Sequence, residues 1–260
     1  IDAVGLPPGV FNLVHGHGAT AGQALVSHPQ VDAISFTGGT VTGERVGAIA
    51  ATTHKKASLE LGGKNATIVF ADADFDQAVE GAVRAGFTNQ GEICLCGSRV
   101  LVQAAIYERF VDAMVEKVQA MRVGDPASDV DMGALVSAAH REKVESYLRL
   151  AVEEGGVIRC GGTRPVLAAP HADGYYLAPA VITDLPSSCR TATEEIFGPV
   201  VTVHPFDTED QAIVAANAVR YGLSASVWTS DLSTAHRVSR RLRTGMVWVN
   251  CWLKRDLRVP

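Results

Sequence analysis

Residues 89–97 read Asn89-Gln90-Gly91-Glu92-Ile93-Cys94-Leu95-Cys96-Gly97, and Glu60-Leu61-Gly62-Gly63-Lys64 lies upstream of them. A thiol is a good nucleophile only as the thiolate, which forms in a tight, partly electropositive bend rather than in a packed core. A carboxylate on a glycine-flanked turn can reach a bound water and deprotonate it. The two segments therefore have what a cysteine nucleophile, at Cys94, and a remote general base, at Glu60, would need, although neither segment alone is decisive.

Each of these residues also has a simpler interpretation. Cys94 could be a buried structural cysteine, and Glu60 could be an exposed carboxylate at the end of a strand. The polar residues around Cys94 argue against a core position, and Gly62 and Gly63 permit a close backbone approach that a surface glutamate does not need. Cys96 is expected to be a small packed neighbour of the nucleophile.

Five motifs in order resemble those of the aldehyde dehydrogenase superfamily, and the resemblance covers essentially the whole chain. They occupy residues 5–12, 36–43, 60–64, 89–97 and 194–199. The resemblance implies an α/β fold with two parts. Residues 1–61 would be part of a Rossmann-type NAD-binding domain, and residues 62–260 a parallel-sheet catalytic domain.

The same resemblance implies oxidation of an aldehyde with NAD as cofactor. Cys94 would form a thiohemiacetal and then a thioester, and Glu60 would activate the water that releases the acid. The residues implied for cofactor binding are Gly18, Phe36, Gly38, Gly39, Thr40, Gly43, Leu61, Gly62, Glu195 and Phe197. Gly39 stands where many members carry serine. Two alternatives stay open: residues 38–43 as no more than a tight strand-to-helix turn, and Glu194-Glu195 as a charge pair at a helix start.

Residues 250–258 and the Cys94 segment resemble the branch of the family that oxidises 2-aminomuconic and 2-hydroxymuconic semialdehydes. Those substrates carry a carboxylate, which a planar guanidinium can bind in a bidentate fork. Arg255 is the first candidate anchor and Arg258 the second, with a solvated basic loop as the alternative. The competing functions are a general or betaine-type aldehyde dehydrogenase, a cysteine thioesterase, and an inactive fragment or structural relative.

The composition limits the other classes of function. A net charge of −5 over 260 residues, without a long basic run, argues against a nucleic-acid surface. No apolar run is long enough to predict a membrane span. The five cysteines lack framework spacing and point to the cytoplasm, and the eight histidines show no metal-ligand spacing.

Both ends of the chain resemble internal positions of the family. We therefore expect a fragment that lacks the N-terminal part, with its NAD-versus-NADP determinants, and the extreme C-terminus. The fragment alone is expected to have little activity, and the full-length protein to be a homodimer or homotetramer.

Hydrophobic periodicity predicts alternating strands and helices. Strands are expected at residues 10–14, 33–37, 57–61, 65–70, 99–103, 200–206, 224–229 and 246–250. Helices are expected at 21–27, 43–53, 106–121, 137–154 and 234–242. Asp74 with Gln77 and Thr208 with Gln211 predict two further helix starts of the capping-box type.

Overall fold

The computed structural model describes residues 2–256 and 258. The chain divides into two compact units, Ile1–Gly62 and Gly63–Pro260. The sequence-based boundary between residues 61 and 62 separates two functions, cofactor binding and catalysis, and that assignment stays a prediction.

The first unit contains one small parallel sheet. Its elements are α1 (Gln23–Ser27), β1 (Ala33–Thr37), α2 (Thr40–Thr52) and β2 (Lys56–Glu60), and a π-helical turn, Gly18–Gly22, precedes α1. β1 and β2 pair in parallel from Ala33↔Lys56 to Thr37↔Glu60. Ile34 of β1 packs on Val46 and Ala50 of α2, so the helix covers one face of the strand pair.

The prediction of a strand at residues 10–14 is wrong. These residues are exposed and irregular. Within residues 2–62, the described sheet consists of β1 and β2 alone. A strand forms only where a neighbouring strand accepts and donates its backbone hydrogen bonds, and the apolar pattern here has no such neighbour.

The second unit is built on a seven-stranded sheet. Its strands are β3 (Ala66–Val69), β4 (Arg99–Gln103), β5 (Val157–Cys160), β6 (Ala180–Thr183), β7 (Val200–Phe206), β8 (Ser224–Trp228) and β9 (Met246–Val249). Their order is β5-β6-β7-β4-β3-β8-β9. All neighbours are parallel except β5 and β6, which pair antiparallel at the edge.

Helices cover both faces of this sheet, as the βαβ alternation requires. They are α3 (Phe75–Phe87), α4 (Tyr107–Gln119), α5 (Ala138–Glu153), α6 (Arg190–Thr193), α7 (Glu209–Asn217) and α8 (Leu232–Arg241). Successive residues of β3 face opposite sides. Val69 joins the core beneath α3 and α4, whereas Ile68 joins the core beneath α7 and α8.

The predicted α/β class is confirmed. Every predicted strand from residue 33 onward and every predicted helix is present, with bounds shifted by a few residues. Thr208 and Gln211 form the full capping box. At α3 the Asp74 carboxylate accepts from the Gln77 amide N–H, but the Gln77 side chain returns to that carboxylate instead of the backbone.

Candidate active site

The residues predicted to carry the chemistry of the second unit lie at the amino edge of its parallel strands. Residues 63–65 precede β3 and residues 194–199 precede β7. Residues 88–98, hereafter the nucleophile loop, join α3 to β4. Because parallel strands all begin at the same edge, these segments are neighbours. Open α/β folds more often bind ligands at the opposite, carboxyl edge.

A left-handed turn opens the nucleophile loop. Asn89, Gln90 and Gly91 have φ values of 51°, 58° and 70° in succession. At Gly91 a Cβ atom would lie 2.3 Å from the carbonyl oxygen of Gly198. Only glycine therefore fits at this position, for reasons both of conformation and of space.

Asn65 fixes the backbone on both sides of Leu95. Its Nδ2 donates to the carbonyl oxygens of Cys94, at 2.7 Å, and Cys96, at 2.9 Å. Its Oδ1 accepts from the N–H of Ser224 at 3.1 Å, which ties the amide to β8. Because Asn65 is buried, these bonds compete little with water.

Cys94 itself is half-buried, at the margin of an aromatic cluster. The cluster contains Leu95, Trp248 and Trp252, and the Trp252 indole Nε1 donates to the Leu95 carbonyl at 2.9 Å. Cys96 is buried, and burial raises the pKa of its thiol to about 12. Of the two neighbouring thiols, Cys96 is therefore unsuited to act as a thiolate nucleophile near neutral pH.

The second site segment is the Glu195 loop, residues 194–199, between α6 and β7. The Glu195 Oε1 accepts from the N–H of Gly63 at 2.9 Å. The Lys143 Nζ donates to the Glu195 carbonyl at 3.3 Å. Phe197 has φ = 60°, in the left-handed region. The sequence-predicted Glu195 thus lies beside Gly63, the first residue of the second unit.

Lys64, which follows Gly63, has a buried side chain. Its Nζ donates to the Thr191 carbonyl at 2.8 Å. Burial, and next the charge of Arg99, lower the pKa of Lys64 to about 7. Arg99 is also buried, and burial lowers its pKa to about 10.

In the first unit, two predicted cofactor glycines lie under side chains of other predicted residues. A Cβ on Gly38 would lie 2.5 Å from Cζ of Phe36, and one on Gly43 would lie 2.3 Å from Cδ2 of Leu61. The Gly38 N–H donates to the Glu60 carbonyl at 3.0 Å, next to the predicted base.

The other predicted residues of this unit take simpler positions. Gly39 is the N-cap of α2 and Thr40 its first residue. The Glu60 side chain is exposed at the end of β2, and Gly62 lies two residues further along the chain. Gly18 is the first residue of the π-helical turn, and a Cβ added there would meet no described atom within 4 Å.

Both predicted substrate arginines are exposed in the segment after β9. Arg258 forms a fork with Asp256, with Nη2 at 2.6 Å and Nε at 2.9 Å from the carboxylate oxygens. This guanidinium is therefore already engaged by an acid of its own segment, whereas Arg255 lies beside that pair.

Sequence reasoning missed three residues that shape the site: Asn65, His140 and Lys143. Asn65 directly follows the Glu60–Lys64 motif, which is a local signal for it. His140 and Lys143 come from α5, and the order of residues along the chain does not show that this helix reaches the Glu195 loop.

The described residues hold neither a membrane span nor a metal cluster. Within residues 2–256 and 258, none of the helices has both the length and the hydropathy that crossing a bilayer requires. Over the same residues, no group of three or more His, Cys, Asp or Glu side chains is arranged to hold a metal ion.

The sequence matches the model of the aldehyde dehydrogenase family over residues 1–260. The chain therefore belongs to the aldehyde dehydrogenase family.

Its relatives include several semialdehyde dehydrogenases. It is 50% identical to the 2-aminomuconic semialdehyde dehydrogenase of Mus musculus, over 100% of this chain and 54% of that protein. It is 45% identical to the 2-hydroxymuconic semialdehyde dehydrogenase of Pseudomonas putida, over 99% of this chain and 54% of that protein. The chain thus spans about half the length of the curated relatives it matches.

Solved structures agree with the family. A betaine aldehyde dehydrogenase from Staphylococcus aureus, solved in complex with NAD+, is 41% identical with a TM-score of 0.94. The match covers 100% of this chain and 51% of that one.

Proposed function

We propose that this chain supplies the catalytic cysteine and general base of an NAD-dependent aldehyde dehydrogenase. The observation that carries the proposal is the nucleophile loop, where a half-buried Cys94 follows a left-handed turn and is held by Asn65. A thiol in a fixed, partly accessible bend is suited to attack on a carbonyl carbon. Cys96, two residues on, lacks that accessibility.

The chemistry assigned to the chain's own residues is as follows. The Cys94 thiolate adds to the aldehyde carbon, and the Cys94 backbone N–H stabilises the oxyanion of the thiohemiacetal. NAD, when bound, accepts a hydride from that carbon. Glu60 then takes a proton from water, whose oxygen attacks the Cys94 thioester and releases the carboxylic acid.

The residues of each unit fit the cofactor assigned to them. In the first unit, α2 begins directly after β1, and its N-cap, Gly39, makes no side-chain capping bond. The first-turn N–H groups of α2 are thus suited to a phosphate. Glu195 in the second unit is a carboxylate acceptor suited to ribose hydroxyls. We assign cofactor binding to the ten residues predicted from the sequence, from Gly18 to Phe197.

For the substrate we propose an aldehyde that carries a carboxylate, of the semialdehyde type that the 45–50% identical relatives are named for. Arg255 is the proposed anchor, and Arg258 ranks second because Asp256 already binds its guanidinium. The competing substrate is betaine aldehyde, named in the 41% identical solved structure. A kcat/KM that is higher for betaine aldehyde than for a carboxylated semialdehyde would reverse this choice.

The assignment of the nucleophile is tested by comparing substitutions of two neighbouring cysteines in the full polypeptide. Cys94→Ser should lower kcat for aldehyde oxidation by about 10³-fold or more, because a serine hydroxyl is not ionised near neutral pH. Cys96→Ser is the matched control and should keep activity within about threefold, with any loss traceable to packing. Equal losses in the two variants would contradict the assignment of Cys94.

A cytoplasmic location and a homo-oligomeric state belong to the same proposal. The five thiols support a reducing compartment. Light scattering on the purified full polypeptide measures the oligomeric state, and a dimer or tetramer is expected.

A further inference from the structure

His140 lies in the first turn of α5, yet its ring contacts the two site loops. Its Nε2 lies 2.6 Å from the Phe197 carbonyl oxygen of the Glu195 loop. The same atom lies 3.2 Å from Oε1 of Glu92 in the nucleophile loop. The His140 side chain is 15% exposed and that of Glu92 is 9% exposed, so both contacts are largely shielded from water.

The chemistry of the partners fixes the state of Nε2. A carbonyl oxygen only accepts hydrogen bonds, so Nε2 must carry a proton. Glu92 has its own support, because its Oε1 also accepts from the Val136 N–H at 3.3 Å. Burial raises the pKa of this carboxyl, while the Val136 N–H and, to a smaller extent, His140 oppose that rise.

The backbone around His140 is also fixed. Its N–H donates to the Ser137 hydroxyl, the N-cap of α5, at 3.2 Å. The rings of His140 and Phe197 meet edge to face, 6.0 Å apart at 75°. A left-handed conformation of a non-glycine residue such as Phe197 persists only where its surroundings impose it. The carbonyl bond and the ring contact from His140 both do so.

We propose that His140 is a positioning residue. It fixes the position of the nucleophile loop relative to the Glu195 loop, through its contacts with Glu92 and with the Phe197 carbonyl. These contacts, hereafter the His140 bridge, are an addition to the proposed function and depend on it, because Glu195 and Phe197 matter here as cofactor residues. The bridge therefore sets where the cofactor's ribose is held relative to the thiol.

Cys94 does not depend on the bridge for its own position. Asn65, which precedes β3 and accepts from the N–H of Ser224 at the start of β8, donates to the Cys94 carbonyl. Loss of the bridge should consequently disturb cofactor binding and hydride transfer, while the intrinsic reactivity of the thiol is retained.

The test compares two substitutions of His140 in the full polypeptide. His140→Gln keeps an N–H donor of similar reach, whereas His140→Leu keeps the bulk and removes the donor. His236→Leu, at an exposed position of α8, is the control for replacing a histidine. The measurements are the dissociation constant of NAD+, the alkylation rate of Cys94 by iodoacetamide without NAD+, kcat, and the urea midpoint.

His140→Leu should weaken NAD+ binding and lower kcat by about tenfold each, with alkylation of Cys94 changed by less than about twofold. His140→Gln should restore both quantities to within about threefold of the parent. If His140→Leu does not fold, Glu92→Ala removes the other end of the bridge and should weaken NAD+ binding in the same way.

Three results are decisive. Unchanged NAD+ affinity and kcat in His140→Leu, or in Glu92→Ala where that variant replaces it, would overturn the bridge, and so would a His140→Gln variant as impaired as His140→Leu. Failure of the proposed function looks different: the parent polypeptide itself would neither bind NAD+ nor oxidise an aldehyde.

Discussion

Gly91 determines the course of the nucleophile loop through the absence of a side chain. It follows two non-glycine residues that are themselves left-handed, and the Gly198 carbonyl occupies the space where its Cβ would be. A substitution here must therefore both adopt a strained φ and displace a neighbouring backbone. The Glu195 loop, to which Gly198 belongs, would move with it.

Gly91→Ala is expected to destabilise the fold by about 2–5 kcal/mol, the sum of a left-handed alanine and an overpacked contact. Gly155→Ala is the matched control, since Gly155 has φ = 89° but a Cβ atom there would meet nothing within 4 Å. It isolates the conformational cost alone, about 1–2 kcal/mol. Urea unfolding of both variants measures the difference. Equal midpoints would show that the Gly198 carbonyl yields without cost.

At the residue scale, the sequence identified what local chemistry can identify. Cys94 was predicted as the thiol of its own glycine-flanked segment, and Glu195 was predicted from the resemblance of residues 194–199 to the family. Their roles remain predictions until they are measured. Asn65, His140 and Lys143 were not predicted, because their function lies in contacts with residues 29 to 159 positions away. Such pairings depend on how the strands order themselves in the sheet.

At the scale of elements, one buried arginine caps the C-terminal end of α7. Arg99, the first residue of β4, donates from Nη1 to the Ala215 carbonyl and from Nη2 to the Ala216 carbonyl, both at 2.8 Å. Its Nε donates to the Lys64 carbonyl at 2.9 Å. The Ala215 carbonyl also accepts from the Ala218 N–H at 3.3 Å, and the positive charge of Arg99 complements the dipole at this end of α7.

Arg99→Met should therefore cost about 2–4 kcal/mol, because buried carbonyl oxygens lose charged donors. Arg237→Met is the matched control at the other end of α7. Arg237 binds Glu209, at the start of α7, through a pair at 2.8 Å whose arginine side chain is 55% exposed. Removing it should cost no more than about 1 kcal/mol. Chemical denaturation of both variants compares them, and a similar cost would mean that Arg99 does not cap α7.

The elements that the sequence missed are those with weak local patterns. β5, β6 and α6 have four residues each. β3 and β9 are equally short but follow the βαβ alternation, whereas β5 and β6 pair antiparallel with no helix among the described residues between them. β6 is fully buried between β5 and β7, so its residues show no alternation. The opposite error, the strand at residues 10–14, arose because an apolar run shows only that a segment could pair.

At the scale of the whole molecule, three basic groups are buried in the second unit. Lys64, Arg99 and His204 are each largely buried, and each has a lowered pKa with burial as the leading cause. Arg99 also lowers the pKa of the other two through its charge. Buried basic groups make the folded state bind fewer protons than the unfolded chain, so stability depends on pH.

His204 makes this dependence measurable at acid pH. It lies in β7 with Nε2 3.0 Å from the Thr202 hydroxyl, and its pKa falls from 6.5 to about 4 on folding. Between those two values the unfolded chain holds a proton that the folded chain does not. The contribution of His204 is therefore fully present above pH 6.5, and is lost as the pH falls through that window.

The free energy of unfolding should thus rise with pH across this window by about 1.4 kcal/mol per pH unit from His204 alone. Carboxylates titrate in a neighbouring pH range and also change the stability. The measured quantity is therefore the slope of the free energy of unfolding against pH, from urea unfolding at several pH values, compared between the parent and His204→Gln. His236→Gln, at an exposed position of α8, should keep the parent's slope. If His204→Gln also kept it, His204 would be protonated inside the fold, and the interior of β7 would have to hold a charge that neither Arg99 nor Lys64 favours.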